Sequence, residues 1–315
     1  MFGLERMRAL LAVATHGSVA AAAEVLHVTP SGVSQQLGKL EREAGQPLLE
    51  PHGRGVRLTP AGKVLAEHAE VVFAQLAAAR SDLDGLRQDI MGPVRIGAIS
   101  TSLHALLPPA LARLAAKHPR VSVRLTEGEA EWMVPAVAAG DVDLAVIESW
   151  ENYPAPIVAS TSREPLLTET TDLALPATHR LAHRKTVNLS EVDDLPWIAW
   201  TEGSRCHHWL EQTLRAEGLD PEVTCTVGGY STQLALVAGN VGAALVPKLI
   251  HTRPGSIPDE VRIVTTKPVV HRTIYAVWRT GADTPAVRAG VEALKAVSEQ
   301  VAGGLVAADG NAFRP

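Results

Sequence analysis

Thr29-Pro30 opens a helix that can face its own core in only one way. Threonine is a favoured N-cap, and a proline in the first turn gives up an N–H that the helix leaves unpaired anyway. At 100° per residue, Val33, Leu37 and Leu40 gather within about 60° of one another and form the core side. Opposite them lie Ser31, Gln35, Gly38 and Arg42, with Ser34, Gln36 and Lys39 on the flanks. A solvated face of a small bundle accounts for that pattern. So does a surface that reads base edges: glutamine pairs bidentately with adenine, lysine reaches guanine or phosphate, and serine reads either.

The neighbouring elements favour the second account. Leu4, Met7, Leu10, Leu11 and Ala14 recur at helical spacing up to Gly17, and Ser18 caps a short alanine-rich helix. Beyond the Thr29 helix, Pro47-Leu48-Leu49 reads as a strand, Pro51 to Gly55 as a tight turn, and Val56-Arg57-Leu58 as the returning strand. The hairpin presents Arg54 and Arg57 at its tip, placed for the phosphate backbone. Three short helices and a basic hairpin make a winged helix-turn-helix.

Ser18-Val19-Ala20-Ala21-Ala22-Ala23, the run from Thr29-Pro30-Ser31-Gly32-Val33-Ser34-Gln35-Gln36 through Leu37-Gly38-Lys39-Leu40-Glu41, and Leu58-Thr59-Pro60-Ala61-Gly62 carry a specific likeness. Residues 4–62 resemble the N-terminal domain of LysR-type transcriptional regulators. The resemblance implies operator or promoter DNA as partner, with the third helix in the major groove. It implies contacts at Thr29, Ser31, Ser34, Gln35, Gln36 and Lys39, and a wing contact at Arg54. One departure is visible. The family usually has Leu-Phe-x-Arg after the first wing strand, whereas this chain has Leu48-Leu49-Glu50-Pro51, so the phosphate grip should be weaker.

From Pro60 nothing breaks a helix until Gly85, and helical composition continues to about Ile90. Leu65, Ala69, Val72, Leu76, Ala79, Leu83, Leu86 and Ile90 alternate by four and three, a seam suited to a coiled coil. The resemblance implies that this linker pairs two subunits, giving a homodimer or a tetramer of paired dimers. A two-fold dimer would read an inverted repeat with half-sites about 34 Å apart. Gly92-Pro93 marks a boundary.

From residue 93 strand and helix patterns alternate, which predicts a parallel sheet covered on both faces. Val94 to Ile99, Val121–Leu125 and Asp143–Ile147 read as strands, with helices at 102–117 and 132–139. A second such unit begins near 165: strands at Trp197–Trp200, Val223–Val227 and Ala243–Val246, helices at Cys206–Glu217 and Thr232–Ala238. AVAAGDVDLAVI (136–147) echoes ALVAGNVGAALV (235–246), as two similar lobes would. The strand 271–279 and the helix 284–301 would complete the first lobe, with crossovers near 160–168 and 263–270 forming a hinge. The expected class is α+β multidomain: a DNA-binding domain at 1–62, a linker helix at 63–91 and a two-lobed, periplasmic-binding-protein-like effector domain at 92–301. Lobe one spans about 92–162 and 270–301, lobe two about 163–269, and 302–315 form a flexible tail.

Ligands of open parallel sheets sit outside the carboxyl ends of the strands. Ser100-Thr101-Ser102 occupy that place in lobe one and Thr201-Glu202-Gly203-Ser204 in lobe two, each at a helix start able to hold an anion. Each is also an ordinary N-cap. The resemblance implies a small-molecule effector in a cleft lined by Ser100, Ser102, Thr201, Ser204 and residues near Tyr230; the helix starts add Thr101 and Gly203 and suit a carboxylate or amino acid. Glu148 could pair with an amine, although a solvated loop carboxylate is the plainer reading.

Formal net charge is −5 and speaks against a uniformly basic coat, yet residues 1–62 hold six basic against five acidic residues. Two cysteines make no disulfide framework, and no run reaches the roughly 18 apolar residues of a membrane span. A cytoplasmic protein follows. Cys206, in a first helical turn beside His207 and His208, has the surroundings that lower a thiol pKa, which makes a redox-responsive regulator one alternative. Three consecutive residues cannot all face one ion, so no metal site is expected there, and no cofactor. A solute-binding protein is a further alternative, opposed by the N-terminal module. No nucleophile–base pair or nucleotide-binding glycine loop points to an enzyme.

Overall fold

The computed structural model describes residues 2–53, 55–85, 90–251 and 255–311. Two compact units result, Met1–Leu83 and Asp84–Pro315.

The first unit packs α1 (Leu4–His16), α2 (Val19–Val25) and α3 (Pro30–Ala44) around Leu10, Val13, Val33 and Leu40. The Thr29 hydroxyl caps α3 by accepting from Gly32 N at 3.1 Å, and Ser18 caps α2 by accepting from Ala21 N at 3.1 Å. The wing is the antiparallel pair β1 (Leu49–His52) and β2 (Gly55–Leu58), with Leu49 opposite Leu58. Gly62 has a steric cause: a Cβ there would stand 2.0 Å from the Leu48 carbonyl oxygen.

α4 (Pro60–Gly85) divides the expected seam. Leu65 and Ala69 are buried in the first unit's own core, whereas Val72 and Leu76 are 37% and 45% exposed. Ile90 packs against the second unit's core and leaves the seam, because the strand that follows starts at Met91. The Leu83 side chain and Leu86 lie outside the described residues.

The second unit begins with β3 (Met91–Ala98), α5 (Ser100–Ala105), α6 (Leu107–Lys117), β4 (Arg120–Glu127), α7 (Ala130–Ala139) and β5 (Leu144–Trp150). The helix expected at 102–117 is two helices, because Pro108 and Pro109 have no N–H to continue the ladder. β6 (Thr161–Pro176) and β7 (Thr186–Asn188) lead to β8 (Trp197–Ala199), α8 (Arg205–Ala216), β9 (Val223–Thr226), α9 (Tyr230–Ala238), β10 (Ala244–Pro247) and α10 (Lys248–His251). β11 (Val261–Arg279) and α11 (Pro285–Asn311) end the chain.

The expectation of parallel sheets holds only in part. β3 pairs in parallel with β4 and β5, and β8 with β9. The crossovers are long strands instead of short hinges: β6 and β11 run antiparallel to each other, and β10 and β5 join them antiparallel on either side. Both lobes therefore share a sheet ordered β10–β6–β11–β5–β3–β4. Period-two patterning identifies a strand without naming its partner, so the sequence left this pairing open.

In lobe one, α6 and α11 cover one sheet face through Leu107, Ala110, Val287 and Leu294, and α7 covers the other through Met133, Val134 and Val137. In lobe two, Trp209 and Leu214 of α8 and Leu234 and Val237 of α9 enclose Ile198, Leu245 and Val246. The internal echo holds with one change: Gly140 takes the left-handed cap in lobe one (φ 83°), and Asn240 takes it in lobe two (φ 59°). The expected loose tail is helical as far as Asn311, since Leu305, 8% exposed, prolongs the buried stripe of Val291 and Leu294. Among the described residues no helix is long and apolar enough to cross a membrane.

Candidate functional site

Each unit presents one site. On α3, Val33, Leu37 and Leu40 are buried, Ser31, Ser34 and Gln35 are exposed, and Gln36 and Lys39 are half-buried. Thr29 and Ser31 hydroxyls lie 3.0 Å apart, so Thr29 serves the cap and the exposed face together. Among the described residues no acid pairs with Lys39. Arg57 is exposed on β2, but its Nε donates to Glu50 Oε1 at 2.6 Å. Glu50, beside the missing wing arginine, thus pairs with Arg57 at the surface. Arg54 lies outside the described residues.

The polar centre of the second unit is Arg272, a buried residue that its sequence pattern alone does not single out. Arg272 lies on β11 in phase with Ile274 and Ala276, so the pleat turns it inward among buried residues. Its Nε and Nη2 donate to Glu169 Oε1 at 2.9 and 2.7 Å, and its Nη1 donates to Glu148 Oε2. Nη2 also donates to the Thr101 hydroxyl at 3.2 Å, and the guanidinium lies 5.4 Å from the centre of the Trp150 ring. Glu169 faces Arg272 directly across β6–β11, and its second oxygen accepts from Leu249 N at 2.6 Å. Burial opposes the charge on Arg272, but Glu169 and Glu148 outweigh it and hold the guanidinium above its ordinary pKa.

Glu148 is therefore no solvated loop carboxylate. It lies within β5, is 8% exposed, and accepts from Cys206 Sγ at 2.7 Å as well as from Arg272. Thr101 and Ser102 are buried, Thr101 serves Arg272, and Ser102 Oγ has no hydrogen-bond partner among the described residues. Ser100 is half-buried at the start of α5. Thr201 and Gly203 are exposed, and the Ser204 hydroxyl caps α8 by accepting from His207 N at 3.2 Å. Tyr230 is buried edge-on to Trp200, with ring centres 5.1 Å apart; burial above all pushes its phenol well above the usual range.

The start of α8 already carries an anion, because Arg205 N donates to the carboxylate of Glu131 on α7. A carboxylate from the opposite lobe takes the place expected for an effector's. The Arg205 guanidinium in turn lies 4.4 Å from the Tyr153 ring centre and donates to the Tyr153 and Pro154 carbonyls.

Cys206 does not have the expected redox surroundings. Burial, then Glu148 and Glu129, pushes its thiol well above the ordinary value. His207 is buried with Nδ1 3.3 Å from the Trp200 carbonyl, and His208 points to solvent. Cys206 and Cys225 are both free, and the raised pKa opposes a reactive thiolate.

Known proteins match both units. The profile of the bacterial regulatory helix-turn-helix protein, lysR family, matches residues 4–63, and that of the LysR substrate binding domain matches residues 87–299. The HTH-type transcriptional activator IlvY of Salmonella typhimurium is 30% identical over 265 residues, covering 83% of this chain and 88% of that protein. A Mycobacterium avium protein named as a probable hydrogen peroxide-inducible genes activator is 31% identical over 77% of this chain and 76% of its own length. Among solved structures, a full-length OxyR variant from Pseudomonas aeruginosa aligns with a TM-score of 0.67 at 23% identity, covering 94% of this chain and 97% of that one. The chain belongs to the LysR family: it is a DNA-binding transcriptional regulator that responds to a small-molecule effector and assembles with copies of itself.

Proposed function

We propose that α3 enters the major groove with Ser31, Ser34, Gln35, Gln36 and Lys39 toward the bases, Thr29 at its rim, and Arg54 and Arg57 of the wing along the phosphates. The observation that carries this is the division of α3 into a buried apolar side and an exposed polar side of serines and glutamines, with Lys39 at its edge and Arg42 at its end. In fluorescence anisotropy with a promoter duplex, Gln35→Ala weakens specific binding by about 10-fold, on the order of 1.4 kcal/mol, and leaves non-specific binding unchanged. Lys39→Ala lowers the salt slope by about one if it meets a phosphate, and relaxes specificity at one position if it meets guanine. Unchanged specific binding in both variants rules out this groove assignment.

The dimer forms through α4, where Val64, Val71, Val72 and Leu76 leave an exposed apolar stripe. Leu76→Glu should yield a monomer in sedimentation velocity and abolish binding to a paired half-site, and a variant that stays dimeric would refute this. The functional divisions are a head at 1–62, a linker at 63–91 and an effector domain at 92–301. The effector enters between the lobes past Ser100, Thr201 and Gly203, and an effector carboxylate takes the place of Glu131 on α8. The chain works as a cytoplasmic regulator without enzymatic activity, in keeping with relatives named as regulators.

A further inference from the structure

We infer that Glu129, Glu148 and Cys206 form a site for a divalent transition-metal ion of the zinc type, which would bridge the two lobes. Their ligating atoms lie within 4.8 Å of one another, close enough to meet on one ion. Glu129 occupies the N-cap position of α7 without a side-chain cap bond and Glu148 lies on β5, both in lobe one, while Cys206 is in the first turn of α8 in lobe two. Two further observations point to a cation. Arg272 is already engaged by Glu148 and Glu169, which leaves the neighbouring Glu129 carboxyl without a cation of its own among the described residues. The Glu129 carboxylate is partly buried beside Glu148 and has no hydrogen bond or ion pair among the described residues.

The ligand chemistry narrows the ion. A thiolate with two carboxylates suits zinc and its borderline neighbours, and disfavours calcium and magnesium, which prefer all-oxygen sets. Arg272 holds Glu148 by Oε2 and leaves Oε1 to the cleft, the outer-shell support that ligating carboxylates usually have. Oε1 now accepts from the Cys206 thiol. On binding, the Cys206 S–H bond and the O–H bond of a protonated Glu129 break, the sulfur–metal and oxygen–metal bonds form, and the protons leave to solvent. His207 and His208 contribute nothing, since one is turned to the Trp200 carbonyl and the other outward. The sequence expectation of no metal site considered only neighbours of Cys206, whereas Glu148 is 58 residues away.

Cobalt(II), titrated into the reduced, metal-free full-length chain, tests the site. A thiolate-to-cobalt charge-transfer band should appear at one equivalent, vanish in Cys206→Ser and persist in Cys225→Ser. Glu129→Gln, which removes a carboxylate with no hydrogen bond to lose, should raise the half-saturation concentration at least about 10-fold. Absence of the band, a band that survives Cys206→Ser, or one indifferent to Glu129→Gln overturns the proposal. So does an amine that binds in a Glu129-dependent way while cobalt does not. The effect on DNA rests on the effector-cleft reading and is measured separately, by promoter affinity with and without zinc. A loaded site that leaves DNA affinity unchanged supports the metal site and counts against coupling through the cleft.

Discussion

Arg272→Met should destabilise the second unit by about 3–5 kcal/mol, the usual cost of removing one partner of a buried ion pair. The side chain is fully enclosed, and the variant leaves Glu148 and Glu169 with a shared negative charge and no cation. Neither acid can relax into water, because Glu169 is fixed by Leu249 N and Glu148 lies under the Cys206 thiol. Thr101 loses its donor and Trp150 loses the cation against its ring. A urea melt of the full chain should show the effector unit unfolding early while the head's transition stays in place. The combined variant Arg272→Met, Glu148→Gln, Glu169→Gln separates charge from packing, since replacing all the charges leaves no ion stranded. It should regain more than half of the loss. A single variant that loses less than about 1 kcal/mol, or a triple variant no better than the single, would show that Arg272 is not held by these carboxylates.

Local chemistry was readable from the chain, and long-range pairing was not. The Thr29 and Ser18 caps and the buried stripe of Val33, Leu37 and Leu40 depend on residues within a few positions and appear where the spacing puts them, whereas the first wing strand runs over Leu49–His52 instead of the expected 47–49 and leaves a shorter turn. The run 271–279 has the pattern of a strand, yet only its pairing with β6 shows Arg272 opposite Glu169. An arginine in phase with Ile274 and Ala276, and a glutamate in phase with Leu167 and Thr171, were the available signals. Charged residues at inward positions of a strand are expensive unless paired, so each implied a partner elsewhere. The Glu131 contact with α8 spans 74 residues and left no local trace. Leu65 and Ala69 show the reverse: a regular heptad was visible, but two of its positions serve the first unit's own core.

Stability of the metal-free protein should fall as pH rises from about 4.5 to about 7, and Glu129→Gln should remove the fall. Burial, then Glu148 and Glu131, lifts the Glu129 carboxyl from its ordinary value to about 7. The groups around it are Glu127 at the end of β4, Glu131 on α7, Glu148 on β5, Cys206 on α8 and Arg272 on β11, and only Arg272 favours ionisation. Because the folded pKa exceeds the unfolded one, the native state holds the extra proton between these pH values and loses that advantage as pH rises. At 1.36 kcal/mol per pKa unit the ceiling is about 3 kcal/mol, reduced to roughly 2 by the water that reaches a partly exposed group. Glutamine cannot ionise, so the variant should match the native chain at pH 4.5 and exceed it by about that margin at pH 8 in urea melts with chelator present. A native profile that rises between pH 5 and 7, or a variant with no advantage at pH 8, would mean that Glu129 ionises freely and that the cleft has no unmet negative charge.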